Sequence, residues 1–229
     1  MKKILSIILS AILIVSVFSL NAFATNDVEE YPVLNTKTYV FFENLAQVET
    51  ASLKISKTEK IMSFIPVTFS FEGFFKNEKI AVNISLLGRR VNCILENGII
   101  YGYYPSVPFL YFKIASPELE NAFTTPYNFL DFVIIMLSGE VFYRGAYSET
   151  YEETVGGKTY TVDEFSVNDY YINRYIFDGD NLVAIESKNK YDDSVTQRFD
   201  IEISYSVDDA VFVMPATSFF DITWLLYLM

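Results

Sequence analysis

After Glu49 the apolar residues of this chain fall into a period of two and keep it, run after run, toward the C-terminus. Leu53 and Ile55 alternate with Ser52, Lys54 and Ser56. Val67, Phe69 and Phe71 alternate with Thr68, Ser70 and Glu72, and Ile80, Val82, Ile84 and Leu86 with Ala81, Asn83 and Ser85. Successive side chains of a strand point to opposite faces, so each run has one face to bury and one to leave wet. Gly73, Lys76-Asn77-Glu78, Gly88 and Glu96-Asn97-Gly98 punctuate the runs. Asn-Gly suits the left-handed positions of a tight hairpin. Strands joined by such turns form an antiparallel meander, continuing through Val91-Asn92-Cys93-Ile94 and Ile99–Tyr104.

The second half repeats the pattern. Residues 141–154 are strand-like and Val155-Gly156-Gly157-Lys158 is a turn. Tyr160–Phe165, Tyr170–Phe177 and Leu182–Ser187 follow, with Asp178-Gly179-Asp180-Asn181 as a turn between the last two. After Tyr191-Asp192-Asp193-Ser194, Phe199, Ile201, Ile203 and Tyr205 alternate with Asp200, Glu202 and Ser204. Val211-Phe212-Val213-Met214 reads as a last run before Pro215. The apolar stretch from Phe219 to Met229 is too short to anchor in a membrane, which takes ~20 residues, and is expected to pack on the body as helix or strand. This makes about ten or eleven short strands with no βαβ rhythm. The fold class is mainly β with minor α: one large curved antiparallel sheet whose inner face something apolar must cover.

Two helices interrupt the alternation. Thr36 or Thr38 caps a helix through Val40, Phe41, Leu45 and Val48, with Glu43, Asn44 and Gln47 between the apolar positions. Pro105, Pro108 and Pro117 then break regular pairing. Thr125-Pro126 reads as an N-cap and first helical position, and Ser138-Gly139 as a stop. The helix between is apolar almost all round, with Asn128 and Asp131 its polar residues. It must be covered on more than one side, or line something greasy. A buried strand through Phe132–Leu137 is the rival reading, and the capping signals favour the helix.

Residues 1–24 read as a secretory signal: Lys2 and Lys3, an apolar run from Ile4 to Leu20 broken only by serine, and Ala22-Phe23-Ala24 before cleavage at Ala24/Thr25. The run is long for a signal core, and an uncleaved anchor is the competing reading; the small-residue site favours cleavage. With no cysteine at the cleavage point, a lipid anchor is not expected. An exported domain spanning 25–229 follows, extracellular or associated with the cell envelope. A short polar lead precedes the first helix. Removing the signal takes away two lysines and no acid, and shifts the formal charge from −12 to −14.

Composition excludes whole classes of function. With no histidine, neither a Ser-His-Asp centre nor a histidine-ligated metal can be built. With one cysteine there is no intrachain disulfide or cysteine metal cluster. Cys93 lies among Val91, Ile94 and Leu95 as a buried, inert thiol. The acidic charge argues against nucleic acid and anionic lipid headgroups as partners, because the long-range field is repulsive. Asp178-Gly179-Asp180-Asn181 lacks EF-hand spacing and reads as a turn rather than a calcium loop. Glu152 and Glu153 point to opposite strand faces, so with Glu149 they form a solvated edge rather than a glycosidase pair. Arg89-Arg90 decorates the turn after Gly88, though it could grip a carboxylate or phosphate. No enzyme, cofactor or metal is expected.

The order of elements is a leading helix, a long meander and an apolar helical insertion. Then come Tyr175-Ile176-Phe177-Asp178-Gly179-Asp180-Asn181-Leu182-Val183-Ala184-Ile185, Ile201-Glu202-Ile203-Ser204 and a terminal Phe212-Val213-Met214-Pro215. This pattern resembles the LolA-like lipoprotein-carrier superfamily of exported bacterial proteins. The resemblance implies an unclosed half-barrel with helices plugging its open side and acyl chains held between. The chain has no lipobox, and its apolar C-terminal tail has no counterpart in that pattern.

Aromatic residues gather in the first meander: Phe69, Phe71, Phe74, Phe75, Tyr101, Tyr103, Tyr104, Phe109, Tyr111 and Phe112. They either fill a plain core or line a pocket. The candidate ligand-binding set is Phe69, Phe71, Val82, Ile84 and Tyr101 on the sheet with Phe129, Phe132, Val133 and Met136 on the lid helix. An acyl chain gains ~0.8 kcal/mol per buried CH₂ and needs no polar motif to bind. The first expectation is a monomeric, non-enzymatic protein that binds a lipid or other hydrophobic molecule. The alternative is a cell-envelope structural or protein-interaction module with a filled core and no small ligand.

Overall fold

The computed structural model describes residues 36–61, 65–86, 88–107, 110–115, 125–138, 145–216 and 218–223. The signal-like segment, the lead before Thr36, Phe109 and the last six residues of the chain lie outside the described residues.

A single sheet of twelve strands organises the molecule. Its first meander is β1 (Thr50–Ile61), β2 (Ile65–Lys76), β3 (Lys79–Leu86), β4 (Arg89–Glu96), β5 (Ile99–Tyr103) and β6 (Tyr111–Ala115). The second is β7 (Ala146–Val155), β8 (Lys158–Ser166), β9 (Tyr171–Asp178), β10 (Asn181–Asn189) and β11 (Val195–Ser204). Antiparallel pairing of β1 with β11, Ile55 opposite Ile201, joins the two meanders in mid-sheet. β12 (Phe220–Asp221) adds a short parallel strand to the outer edge of β6. The order β12-β6-β5-β4-β3-β2-β1-β11-β10-β9-β8-β7 has two free ends, so the sheet is open. β12 is the strand that alternation did not foretell: two residues hold too little pattern to show a period.

The turns follow the sequence. Asn97 and Gly98 both have positive φ, as a two-residue hairpin turn requires. The Val211–Met214 run corrects the expectation of a strand. Asp209–Phe212 forms a 3₁₀ turn capped by Asp208, whose side chain accepts from the Ala210 N–H. A local side-chain cap wins there over a short apolar run.

Helix α1 (Lys37–Gln47) starts at Thr36, whose hydroxyl accepts from the Tyr39 N–H. Helix α2 (Pro126–Ser138) lies between the meanders in sequence, and the Thr125 hydroxyl accepts from the Asn128 N–H at its start. The rival strand reading of Phe132–Leu137 is thereby set aside. Both helices pack on one face of the sheet, α1 against β10 and α2 against β1 and β2, and they also touch each other. No helix of the described residues is long and apolar enough to cross a membrane.

The chain after β11 reaches the other face. The Phe219 ring meets Tyr101 and Tyr111 edge-on, with centroids 5.0 and 5.8 Å apart, and the Ile222 N–H donates to the Lys113 carbonyl. The described part of the tail thus packs on the body, with Phe220–Asp221 as a two-residue strand.

Candidate functional site

The helix-bearing face is built from the apolar phase of each strand. Ala51, Leu53 and Ile55 of β1 are fully buried, beside Phe71 and Phe75 of β2, Val82 and Ile84 of β3, Cys93 of β4 and Phe199 and Ile201 of β11. Burial pushes the Cys93 thiol up to about 12, which fits its expected inertness.

Rings seat the helices. Phe41 of α1 meets Phe177 edge-on at 5.8 Å, and Phe42 meets Tyr175 at 5.9 Å and Tyr127 of α2 at 5.6 Å. Phe129 of α2 meets Phe75 at 5.6 Å and lies over Gly73, where a Cβ would come within 2.7 Å of the ring. Gly73 is therefore the seat of Phe129, and a Cβ there would force the Phe129 or Phe75 ring to shift. A polar clasp fixes α1 from the side. The buried Asp163 carboxylate of β8 accepts from the Thr38 N–H at 2.7 Å, the Thr38 hydroxyl at 2.8 Å and the Thr150 hydroxyl at 2.6 Å.

Most of the candidate ligand-binding residues come together. Phe71, Val82, Ile84, Phe129 and Val133 share one buried cluster, with Phe132 and Met136 half-buried against it. Phe69 continues the Phe71 face one step toward the strand end and is half-buried. Tyr101 is placed elsewhere. Ile100 and Gly102 carry the buried phase of β5, so Tyr101 points to the opposite face, where Phe219 covers it.

The face is closed. Between the helices lies a cavity of about 20 Å³, lined by Phe42, Tyr127, Leu130, Asp131, Ile134, Tyr175 and Ile185. That is room for about one water and no more. A ligand of acyl length does not fit this cavity unless α2 side chains give way.

Two polar groups on this face escaped the sequence reading. Lys57 follows Ala51, Leu53 and Ile55 in the buried phase of β1, and its side chain is 9% exposed. Its ammonium donates to the Leu137 carbonyl in the last turn of α2 at 2.7 Å, pairs with Glu59 at 2.7 Å and lies 5.4 Å from the Phe199 ring centre. Asp163 likewise shares its phase with Phe165. In both cases the legible signal is a charge at an apolar position of the alternation.

Asp178 pairs with Lys158 of β8 at 2.5 Å, and Asp180, in the hairpin turn, with Lys37 of α1 at 3.5 Å. Glu149, Glu152 and Glu153 lie on the edge strand β7, where Glu153 pairs with Arg174. Arg90 donates to Asn92 at 2.9 Å at the start of β4. Among the described residues no group of three or more Asp, Glu or Cys side chains is arranged to hold a metal.

No family model matches the chain, and no curated protein matches it. Its structure is similar to an uncharacterized conserved protein from Thermus thermophilus, with a TM-score of 0.44 and 6% identity over 82% of this chain and 99% of that one. It is also similar to a LolA superfamily protein from Nitrosomonas europaea, with a TM-score of 0.33 and 11% identity over 76% and 96% of the two chains. A third similar structure is MucB in the Pseudomonas aeruginosa MucA/MucB complex, with a TM-score of 0.40 and 13% identity over 75% of this chain and 59% of that one.

Proposed function

We propose that this chain is an exported, non-catalytic, monomeric binding protein that receives a lipid or another hydrophobic molecule between its sheet and helix α2. The observation that carries the reading is α2 itself, a helix with Asp131 as its one charged residue, laid on a face of aliphatic and aromatic side chains. The energies of opening and filling are comparable. Burying Phe129, Leu130, Val133 and Ile134 of α2 stabilises the closed state by about 6–12 kcal/mol. A twelve-carbon tail taking their place regains on the order of 9 kcal/mol. An exchange so nearly balanced suits reversible loading. The absence of histidine and the burial of the one thiol support a binding role over a catalytic one.

A second reading has its own observation. The cavity holds about one water, which favours a filled-core envelope module that meets a protein partner. Replacing Phe132 and Met136 with glutamate separates the two. The ligand reading expects the folded double variant to lose uptake of a fluorescent fatty acid. Unchanged uptake contradicts the placement of the ligand under α2, and no uptake by the parent chain favours the filled core.

A further inference from the structure

We propose that Lys57 receives the anionic headgroup of the ligand, so that the preferred substrate class is an acyl chain ending in a carboxylate or another anionic oxygen group. The inference rests on the reading of an apolar ligand under α2 and names its polar end.

The helix-bearing face changes character at this point. Phe71 and Ile84 are buried, but one step further along the same phase Phe69 and Leu86, paired across β2 and β3, are half-buried. Lys57 stands opposite Phe69. The apolar floor therefore has a partly open rim at Phe69 and Leu86, beside a cation where an amphiphile's polar end could lie, although Val67 one step further along β2 is buried again. A second polar group faces the same end. Gln197 shares its strand face with Phe199, and its Oε1 atom is buried with no hydrogen-bond partner. A buried amide oxygen left without a partner is a place where a ligand or water group completes the bonding.

Capping α2 does not exhaust Lys57. An ammonium has three N–H donors, and the Leu137 carbonyl and Glu59 carboxylate occupy two. Glu59 is the replaceable partner: its side chain is 51% exposed, and so exposed a carboxylate gives up its pair for water at little cost. A ligand carboxylate arriving from the rim would take its place, in a drier setting where a charge-assisted hydrogen bond is stronger. The formal charge of the chain is −12, so its overall field opposes an anionic ligand. A preference for the anion therefore has to come from a local cation.

The test is calorimetric titration of the chain with dodecanoate, its carboxyl fully ionised, and with dodecanol, both below their aggregation limits. The expected result is dodecanoate binding at least about tenfold tighter than dodecanol, with Lys57→Met binding both alike. Glu59→Gln should tighten dodecanoate about threefold and leave dodecanol unchanged. Equal affinity of the parent chain for both probes, or a preference that survives in Lys57→Met, overturns the headgroup assignment alone. Binding of neither probe contradicts the underlying reading and this inference with it. Should Lys57→Met fail to fold, Glu59→Gln decides, and no selective gain there contradicts the proposal.

Discussion

The two faces of the sheet are held in different ways. Under the helices the contacts are ring against ring and aliphatic against aliphatic, with Lys57 and Asp163 as polar exceptions at the margins. On the far face of β7 to β11, directional charge pairing holds the strands. Arg174 donates to Glu186 at 3.0 Å, to Glu153 and to the Tyr151 hydroxyl at 3.0 Å, while Arg198 pairs with the other oxygen of Glu186. The Arg174 and Glu186 side chains are 8% and 6% exposed, beside a small apolar cluster of Val162, Ile176 and Ala184. Burial alone would lower the Arg174 pKa, but Tyr151, Glu153 and Glu186 raise it above the ordinary arginine value. Ion pairs with fixed geometry specify register, whereas apolar packing is tolerant of what does the packing. The far face fixes the strand register, which leaves the helix-bearing face free to serve the proposed exchange of occupants.

Substitutions should break the two faces unequally. Phe129→Ala removes the fully buried ring over Gly73 and should cost about 4 kcal/mol by denaturant unfolding. If the face exchanges occupants, an added acyl ligand should restore part of that loss. Arg174→Met leaves Glu186 buried with Arg198 alone and should cost about 3 kcal/mol, with no rescue by ligand. Equal rescue of both variants would erase the distinction between the faces.

Alkaline titration sharpens the contrast within the apolar face. The Cys93 pKa is raised from 9.0 to about 12 by burial, so the unfolded chain loses this proton first. Its contribution to stability is fully present below pH 9 and is lost as the pH rises toward about 12. Cys93→Ala should flatten that part of the stability curve relative to the parent chain, and the native thiol should resist alkylation until the protein unfolds. The smallest effect is expected at the edge of the helix layer. Thr36→Ala removes the α1 cap and should cost about 1 kcal/mol, while binding is unaffected.

Much of this architecture was legible in the sequence. Alternation located the main strands, Asn97-Gly98 and Gly156-Gly157 the turns, and Thr36 or Thr38 and Thr125 the helix starts, because these signals act within a few residues. The candidate site was legible as far as phase allowed. Phe71, Val82 and Ile84 share an apolar phase and do share a face. Tyr101 does not join them: its strand keeps Ile100 and Gly102 in the inward phase, and an aromatic side chain is at home on either face of a strand. The parallel pairing of β12 with β6 and the meeting of Arg174 with Glu153, twenty-one residues apart, depend on the tertiary arrangement, which no local pattern encodes. Whether the space under α2 is open or filled depends on how Phe42, Tyr127, Leu130 and Tyr175 interlock, and that too lies beyond periodicity.

The central claim is that the helix-bearing face takes up an apolar ligand in exchange for α2 side chains. Native mass spectrometry of residues 25–229, purified from the source organism without detergent and then extracted with organic solvent, tests it most directly. The account predicts a co-purifying lipid of defined mass that the extraction removes. A clean apo mass, with no uptake when mixed lipids are added, would contradict it.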